Sequence, residues 1–201
     1  MSEIWKRVKN IPSVVAVYYK TGGSFCAGYI EGADDEFVCM RFLSPSGKFD
    51  GWHCIRIEEI LKMDVGSRYL SDLERVNRHY EEEIPPIKIN PKKVLSSFLD
   101  IAERKKWLCT LEIGFETIEK ISGYITGRDM YSVEMKLLNE HGEEDGYTSF
   151  DVEEIVYIGA ESEFEKYLKT LVELNGNETT PSGKGEKRKD EERLSFPFGK
   201  K

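Results

Sequence analysis

The chain has few of the side chains that most often carry chemistry. Among its 201 residues there are 3 histidines and 4 cysteines. None of His53, His79 and His141 has an Asp or Cys at a spacing that suggests a triad or a metal site. The cysteines form no CxxC pair, so they read as free thiols of a reducing compartment, and a cytoplasmic location is expected. No Gly-rich phosphate loop of the Walker or Rossmann type is present. No run is long and apolar enough to span a bilayer, and residues 1–9 lack the apolar stretch of a secretory signal. The formal net charge of -8 argues against strong non-specific phosphate binding. These absences point away from an enzyme: no catalytic residue, no metal ligand and no cofactor is assigned.

What the chain does have is a repeat. Residues 28–73 recur at 123–168 without a gap, offset by about 95 positions and with roughly one identity in three. Gly28-Tyr29-Ile30 returns as Gly123-Tyr124-Ile125, and Glu58-Glu59-Ile60 as Glu153-Glu154-Ile155. Asp34, Val38, Met40, Gly47, Asp50 and Gly51 return as Asp129, Val133, Met135, Gly142, Asp145 and Gly146. The architecture is therefore two copies of one small unit, each near the lower size limit for independent stability.

Residues 14–18, 25–30, 36–43, 52–57 and 60–63 have the β-branched and aromatic content of strands, separated by Gly, Asp and Pro turns. Five short strands with tight turns predict a small barrel, and the second copy predicts another over 108–158. Ser2 caps a short helix carrying Ile4, Trp5 and Val8, which Pro12 stops. Residues 67–82 read as helical, with Leu70, Leu73 and Val76 on one face. Asn90-Pro91 starts a helix that runs to about Lys106. Ser162 and Glu165 have capping-box spacing for a last helix ending at Asn175-Gly176. The expected division is a first helix, barrel and following helix over 1–83, a linker over 84–90, a second helix, barrel and C-terminal helix over 91–175, and a disordered tail over 176–201.

The copies expose strand faces when compared. Val38/Val133, Met40/Met135 and Phe42/Leu137 stay apolar, so they face the barrel core, as do Ile55/Phe150 and Ile57/Val152. The alternating positions Cys39/Glu134, Arg41/Lys136, Cys54/Ser149 and Arg56/Asp151 then face outward. Cys39 and Cys54 fall on adjacent strands as near neighbours, which leaves a redox or metal role open for them. Cys26 pairs with Ile121 and reads as a buried apolar thiol. Glu58-Glu59 and Glu153-Glu154 point to opposite faces, so they read as a turn before the last strand, not a carboxylate dyad.

The run Gly28-Tyr29-Ile30, Asp34, Phe37-Val38 and Met40, repeated as Gly123-Tyr124-Ile125, Asp129 and Val133, resembles the first Sm motif. Ile57-Glu58-Glu59-Ile60 and Val152-Glu153-Glu154-Ile155 resemble the end of the second. The bacterial Sm-like RNA chaperone Hfq has a similar Gly-x-Ile, Asp, Phe-Val run. The resemblance covers about half the chain. It implies a mainly β fold with flanking helices: two tandem five-stranded Sm-like or SH3-like barrels, each with an N-terminal and a C-terminal helix. It also implies RNA binding and assembly through strand edges. The Asn that contacts the RNA base in Sm proteins is replaced by Val38 and Val133. The Arg-Gly of the second motif is missing, with Ile55-Arg56 and Phe150-Asp151 near that place. The base-binding residues of the family therefore do not carry over.

The function expected on these grounds is a non-enzymatic interaction or scaffold protein that binds protein partners through exposed aromatics and its tail. Tyr29, Trp52, Tyr124 and Tyr147 are the candidate contacts, joined by Leu194, Phe196 and Phe198 as a docking peptide. The alternative is an RNA or single-stranded nucleic-acid binder, with Lys92, Lys93, Lys105 and Lys106 as its basic residues. Duplex DNA and membrane are not expected partners, and a homo-oligomer through barrel edges is.

Overall fold

The computed structural model describes residues 11–20, 25–80, 82–84, 86–114 and 117–178. The expected helix at Ser2 and the tail residues Leu194, Phe196 and Phe198 lie outside them. Among the described residues ten strands fall in two runs of five, with two helices between the runs and one after them. The strands are β1 (Val15–Tyr19), β2 (Phe25–Ala33), β3 (Phe37–Leu43), β4 (Phe49–Arg56) and β5 (Ile60–Val65), then β6 (Leu108–Ile113), β7 (Glu119–Arg128), β8 (Ser132–Leu138), β9 (Glu144–Asp151) and β10 (Ile155–Ala160). Three helices stand among the described residues: α1 (Arg68–Tyr80), α2 (Val94–Lys105) and α3 (Glu163–Glu178).

The repeated residues are those that make the local turns. Gly28 and Gly123 lie where a Cβ would fall 2.1 Å from the carbonyl oxygen of Arg41 or Lys136 on the neighbouring strand. Asp34 accepts the N–H groups of Glu36 (2.9 Å) and Phe37 (2.8 Å) through Oδ1, and Asp129 accepts those of Tyr131 and Ser132, both at 2.7 Å. The repeated aspartate is thus the turn between the second and third strands of each unit. The repeated glutamate pairs lie in single 3-10 turns, Ile57–Glu59 and Val152–Glu154.

The two closed barrels expected from the sequence are not formed. All ten strands belong to one open antiparallel sheet, in the order β5-β1-β2-β3-β4-β10-β6-β7-β8-β9. Each unit contributes the same internal order, its fifth strand pairing with its first. Closing the first unit would require β4 to pair with β5. Instead β4 pairs with β10 of the second unit, Ile55 opposite Tyr157 and Trp52 opposite Ala160. Among the described residues no strand pairs with the outer edges of β5 and β9.

One apolar cluster gathers Val15, Val17, Val38, Met40 and Ile55 in the first unit. A larger one lies around α2 and holds Val133, Met135, Ile155 and Ile158 of the second. The inward faces read from the repeat are thus apolar and covered. The outward reading fails for Cys39 and Cys54. Both are buried, because α2 lays Phe98, Leu99 and Ile101 across that face together with Phe37 and Trp52. The same face of the second unit carries Glu134 and Ser149, both exposed, with no helix packed over it among the described residues. One helix is therefore shared, with the outer face of unit one on one side and the interior of unit two on the other.

That helix begins at Val94, three residues later than Pro91 suggests. Its first N–H groups are not capped by Asn90, whose side chain accepts Lys92 N (3.0 Å) in a preceding turn. Asp34 Oδ2 accepts Val94 N at 2.7 Å from sixty residues earlier. The capping box is formed as the spacing predicts, with Glu165 accepting from Ser162 N at 2.9 Å. Helix α3 continues to Glu178, past Asn175-Gly176.

Candidate functional site

The junction between the units shows what an edge of this sheet can bind. Beyond the β4–β10 ladder, Arg56 reaches across and donates from Nε to Ile155 O (3.0 Å) and from Nη2 to Glu153 O (2.6 Å). Its guanidinium lies 4.7 Å from the centre of the Phe37 ring. Asp50 caps α3 by accepting Glu163 N at 2.9 Å. His53 is buried there, between the Tyr157 hydroxyl on Nδ1 and the Asp50 carbonyl 2.8 Å from Nε2. Burial holds its pKa below the ordinary histidine value, against the opposing pull of the Asp50 carbonyl contact and the Glu165 and Asp50 carboxylates.

The free edges are the repeat counterparts of this junction: β9 corresponds to β4, and β5 to β10. The backbone keeps the junction conformation at both. Gly51 has φ +91 and Gly146 φ +88, while Glu161 has φ +62 and Gly66 φ +67. Yet Gly51 is packed against Ser162 N and Ala160 O, whereas a Cβ on Gly146 or Gly66 would meet nothing within 4 Å. The side chains have diverged. Asp151 stands where Arg56 clasps, Thr148 where His53 is buried, and Lys62 where Tyr157 donates.

The β9 edge is the more apolar in its surroundings. Val152 N donates to Tyr131 O at 2.8 Å, which sets the alternation along the strand. Thr148 and Phe150 turn their N–H groups to β8, and Tyr147, Ser149 and Asp151 turn theirs outward. Met130, Tyr147 and Tyr131 are exposed to 75%, 73% and 70%, and all three lie on β9 or on the turn beside its C-terminal end. Glu143, Glu144, Asp145, Asp151 and Glu153 make the same edge acidic.

Of the aromatics chosen from the sequence, only Tyr147 is open. Trp52 is buried against Phe49 and α2. Tyr29 is half-buried near α1, under the Arg41 guanidinium at 4.5 Å and with its hydroxyl 3.4 Å from Asn77 Oδ1. Tyr124 is half-buried against Leu168 and Leu171 of α3. Lys92 and Lys93 stand exposed before the start of α2, and Lys105 and Lys106 at its end. Twelve helical residues separate them by about 18 Å, so the four do not form one patch. Arg56, Asp50 and Tyr157 at the junction, and Met130 and Tyr131 beside β9, were not marked by sequence. Their one legible signal was the Arg56/Asp151 difference between copies.

Chemistry elsewhere is sparse. A cavity of about 570 Å³ at the start of α2 is lined by Asp34, Asp35, Lys92 and Lys93, but Asp34 already spends its oxygens on backbone N–H groups. Among the described residues no three His, Cys, Asp or Glu side chains converge as a metal site. Burial raises the Cys54 thiol well above its usual pKa, with the adjacent Cys39 adding to it, and pushes the half-buried Cys26 up to about 11. Neither thiol is poised as a thiolate. Among the described residues no helix is long and apolar enough to cross a membrane. No protein-family model, no curated protein and no solved structure matches this chain.

Proposed function

We propose that the protein is a non-enzymatic interaction scaffold that takes up strands of protein partners at the outer edges of its sheet. The observation that carries this is the β4–β10 junction, where one such edge is already filled by the counterpart of the other. An unpaired edge offers a row of backbone donors and acceptors, and strand addition uses them with little demand on sequence. A second copy of the chain is one such partner, β9 of one pairing with β5 of the next as β4 pairs with β10. Loss of the Arg56 clasp and of the buried His53–Tyr157 pair makes that contact weaker than the internal one. The Sm-type resemblance fits this reading as a kinship of the unit, supported by the repeated Gly-Tyr-Ile and the aspartate turn.

The nucleic-acid alternative is less favoured, because the lysine pairs are split between the ends of α2 and the open edge is acidic. Sedimentation velocity over a concentration series tests the scaffold reading. It is run on the full chain and on the full chain carrying Leu194→Ser, Phe196→Ser and Phe198→Ser, the docking peptide expected from the sequence. Concentration-dependent assembly that Ser149→Pro abolishes supports it, since that substitution removes an outward N–H and no β8 bond. A monomer in both chains at every concentration would retire edge pairing between copies.

A further inference from the structure

We infer that the cleft between β5, β1, β2 and the start of α1 binds a quaternary ammonium group, held among the rings of Tyr18, Phe25 and Tyr69. The inference goes beyond the edge reading and does not depend on it.

Strand register brings these side chains together. Tyr18 on β1 lies opposite Phe25 on β2 and opposite Lys62 on β5. Directly opposed residues share a face of the sheet, and Asp64, two residues after Lys62, shares it too. Helix α1 starts over that face, with Leu70 buried and Tyr69 46% exposed. A cleft of about 340 Å³ is left, walled by the three rings with Asp64, Ser67 and Leu70. That volume lies within the range of small-ligand sites.

The rings face one space from different directions. Phe25 stands 5.4 Å from Tyr18 at 40°, and 5.6 Å from Tyr69 at 88°. Electron-rich ring faces gathered in this way attract an organic cation. A carboxylate completes the wall. Asp64 accepts from the Tyr18 hydroxyl (3.0 Å) and from Lys62 Nζ (2.9 Å), both on Oδ2. The Lys62 bond, and the Tyr18 bond after it, hold the Asp64 pKa below the ordinary aspartate value. A bare ammonium brings three N–H donors. Asp64 already serves two donors, and Ser67 Oγ accepts Leu70 N at 3.3 Å. These walls therefore suit a cation whose N–H groups are replaced by methyls.

The chain itself places ammonium groups on these rings. Lys62 Nζ lies 4.5 Å from the centre of the Tyr18 ring. The second unit goes further. There Lys120 opposite Glu112 stands where Phe25 opposes Tyr18, Phe164 stands for Tyr69, and Gly159 for Asp64. Lys120 Nζ lies 5.3 Å from the centre of the Phe164 ring. The second unit thus supplies its own cation to the ring at its helix start. The first has a ring in place of that lysine and a carboxylate in place of that glycine, so its cation comes from outside.

An NMR titration of the full chain with choline tests this, against 3,3-dimethylbutan-1-ol, its uncharged carbon isostere, at matched ionic strength. Choline is expected to shift the Tyr18, Phe25 and Tyr69 signals saturably in the millimolar range or tighter, about tenfold more tightly than the alcohol. Phe25→Lys puts in β2 the side chain that β7 carries at that register, and should abolish binding by filling the cleft from within. Tyr69→Leu keeps apolar bulk at an exposed position without the ring face, and should weaken binding several-fold. Failure to saturate would overturn the inference. So would equal affinity for the alcohol, which makes the cleft merely apolar, or full affinity in either variant. A peptide bearing trimethyllysine separates the sources. Binding at least as tight as choline assigns the group to a modified protein chain, and weaker binding to a small ammonium compound. Equal binding of the same peptide with unmodified lysine would overturn the quaternary assignment.

Discussion

His53 and Tyr157 come from different units and share one buried hydrogen bond across the junction. The Asp50 carbonyl 2.8 Å from Nε2 has no proton to give, so Nε2 donates and Nδ1 accepts from the Tyr157 hydroxyl. The ring stacks on Phe42 with centroids 3.9 Å apart. Both nitrogens are satisfied in the neutral tautomer, and an added proton on Nδ1 would face the hydroxyl that now donates to it.

The junction is therefore sensitive to acid. Burial keeps the folded-state pKa of His53 below the unfolded value of about 6.5, with the Asp50 and Glu165 carboxylates opposing. A depressed histidine contributes stability that is complete above the unfolded pKa and is lost as pH falls below it. His53→Gln should cost about 1–3 kcal/mol at pH 8, and the gap from the unmodified chain should narrow toward pH 5. Urea unfolding of both proteins across that range measures it, and a gap independent of pH would count against this role.

Arg56 and Asp151 occupy equivalent places with opposite consequences. Arg56→Ala removes two charge-assisted bonds to Ile155 O and Glu153 O and should cost about 2–3 kcal/mol. Asp151→Ala, on an exposed position, should stay within about 0.5 kcal/mol. Chemical denaturation of the two variants gives the comparison directly.

A second matched pair separates backbone strain from packing. Gly51 and Gly146 both have positive φ, so alanine at either should cost about 1–2 kcal/mol. At Gly51 the added methyl also meets Ser162 N at 2.6 Å and Ala160 O at 2.7 Å. Gly51→Ala should therefore lower the melting temperature clearly more than Gly146→Ala, and equal shifts would mean that the junction yields around it.

Asp34 and Asp129 form the third pair. Each makes the turn after its strand, but Asp34 alone also caps α2. Asp34→Asn should cost about 1 kcal/mol more than Asp129→Asn by thermal unfolding, the usual size of a lost cap.

The nucleic-acid alternative makes its own forecast. Fluorescence anisotropy with U-rich and A-rich single-stranded RNA should show no salt-sensitive binding at micromolar protein, given the separation of Lys92 and Lys93 from Lys105 and Lys106. Tight, salt-weakened binding would restore that reading.

The sequence carried the unit well and its assembly poorly. Gly28, Asp34 and the Ser162–Glu165 box act within a few residues or between adjacent strands, so they leave a local pattern. Val38 and Met40 announced a buried face by recurring in the second copy. Alternation could also tell that Cys39 and Cys54 lie on the opposite face, but it is blind to what covers that face, and α2 does. Barrel closure failed for a similar reason. Whether β4 turns back on β5 or pairs with β10, about a hundred residues away, depends on a competition between two edges that no short window contains. The Asp34 cap on Val94 is long-range in the same sense.

Helix α2 turns a duplication into something that cannot be reversed by cutting. A fragment that stops after Tyr80 would bare Phe37, Cys39, Trp52 and Cys54, and the remainder would hold a helix whose apolar side has lost its floor. Each half keeps its own apolar cluster but loses the contact made by α2 across the outer face of the first unit, so fission would bare apolar surface on both pieces. A split at Glu82–Glu83 would therefore serve as a complementation pair whose signal reports rejoining.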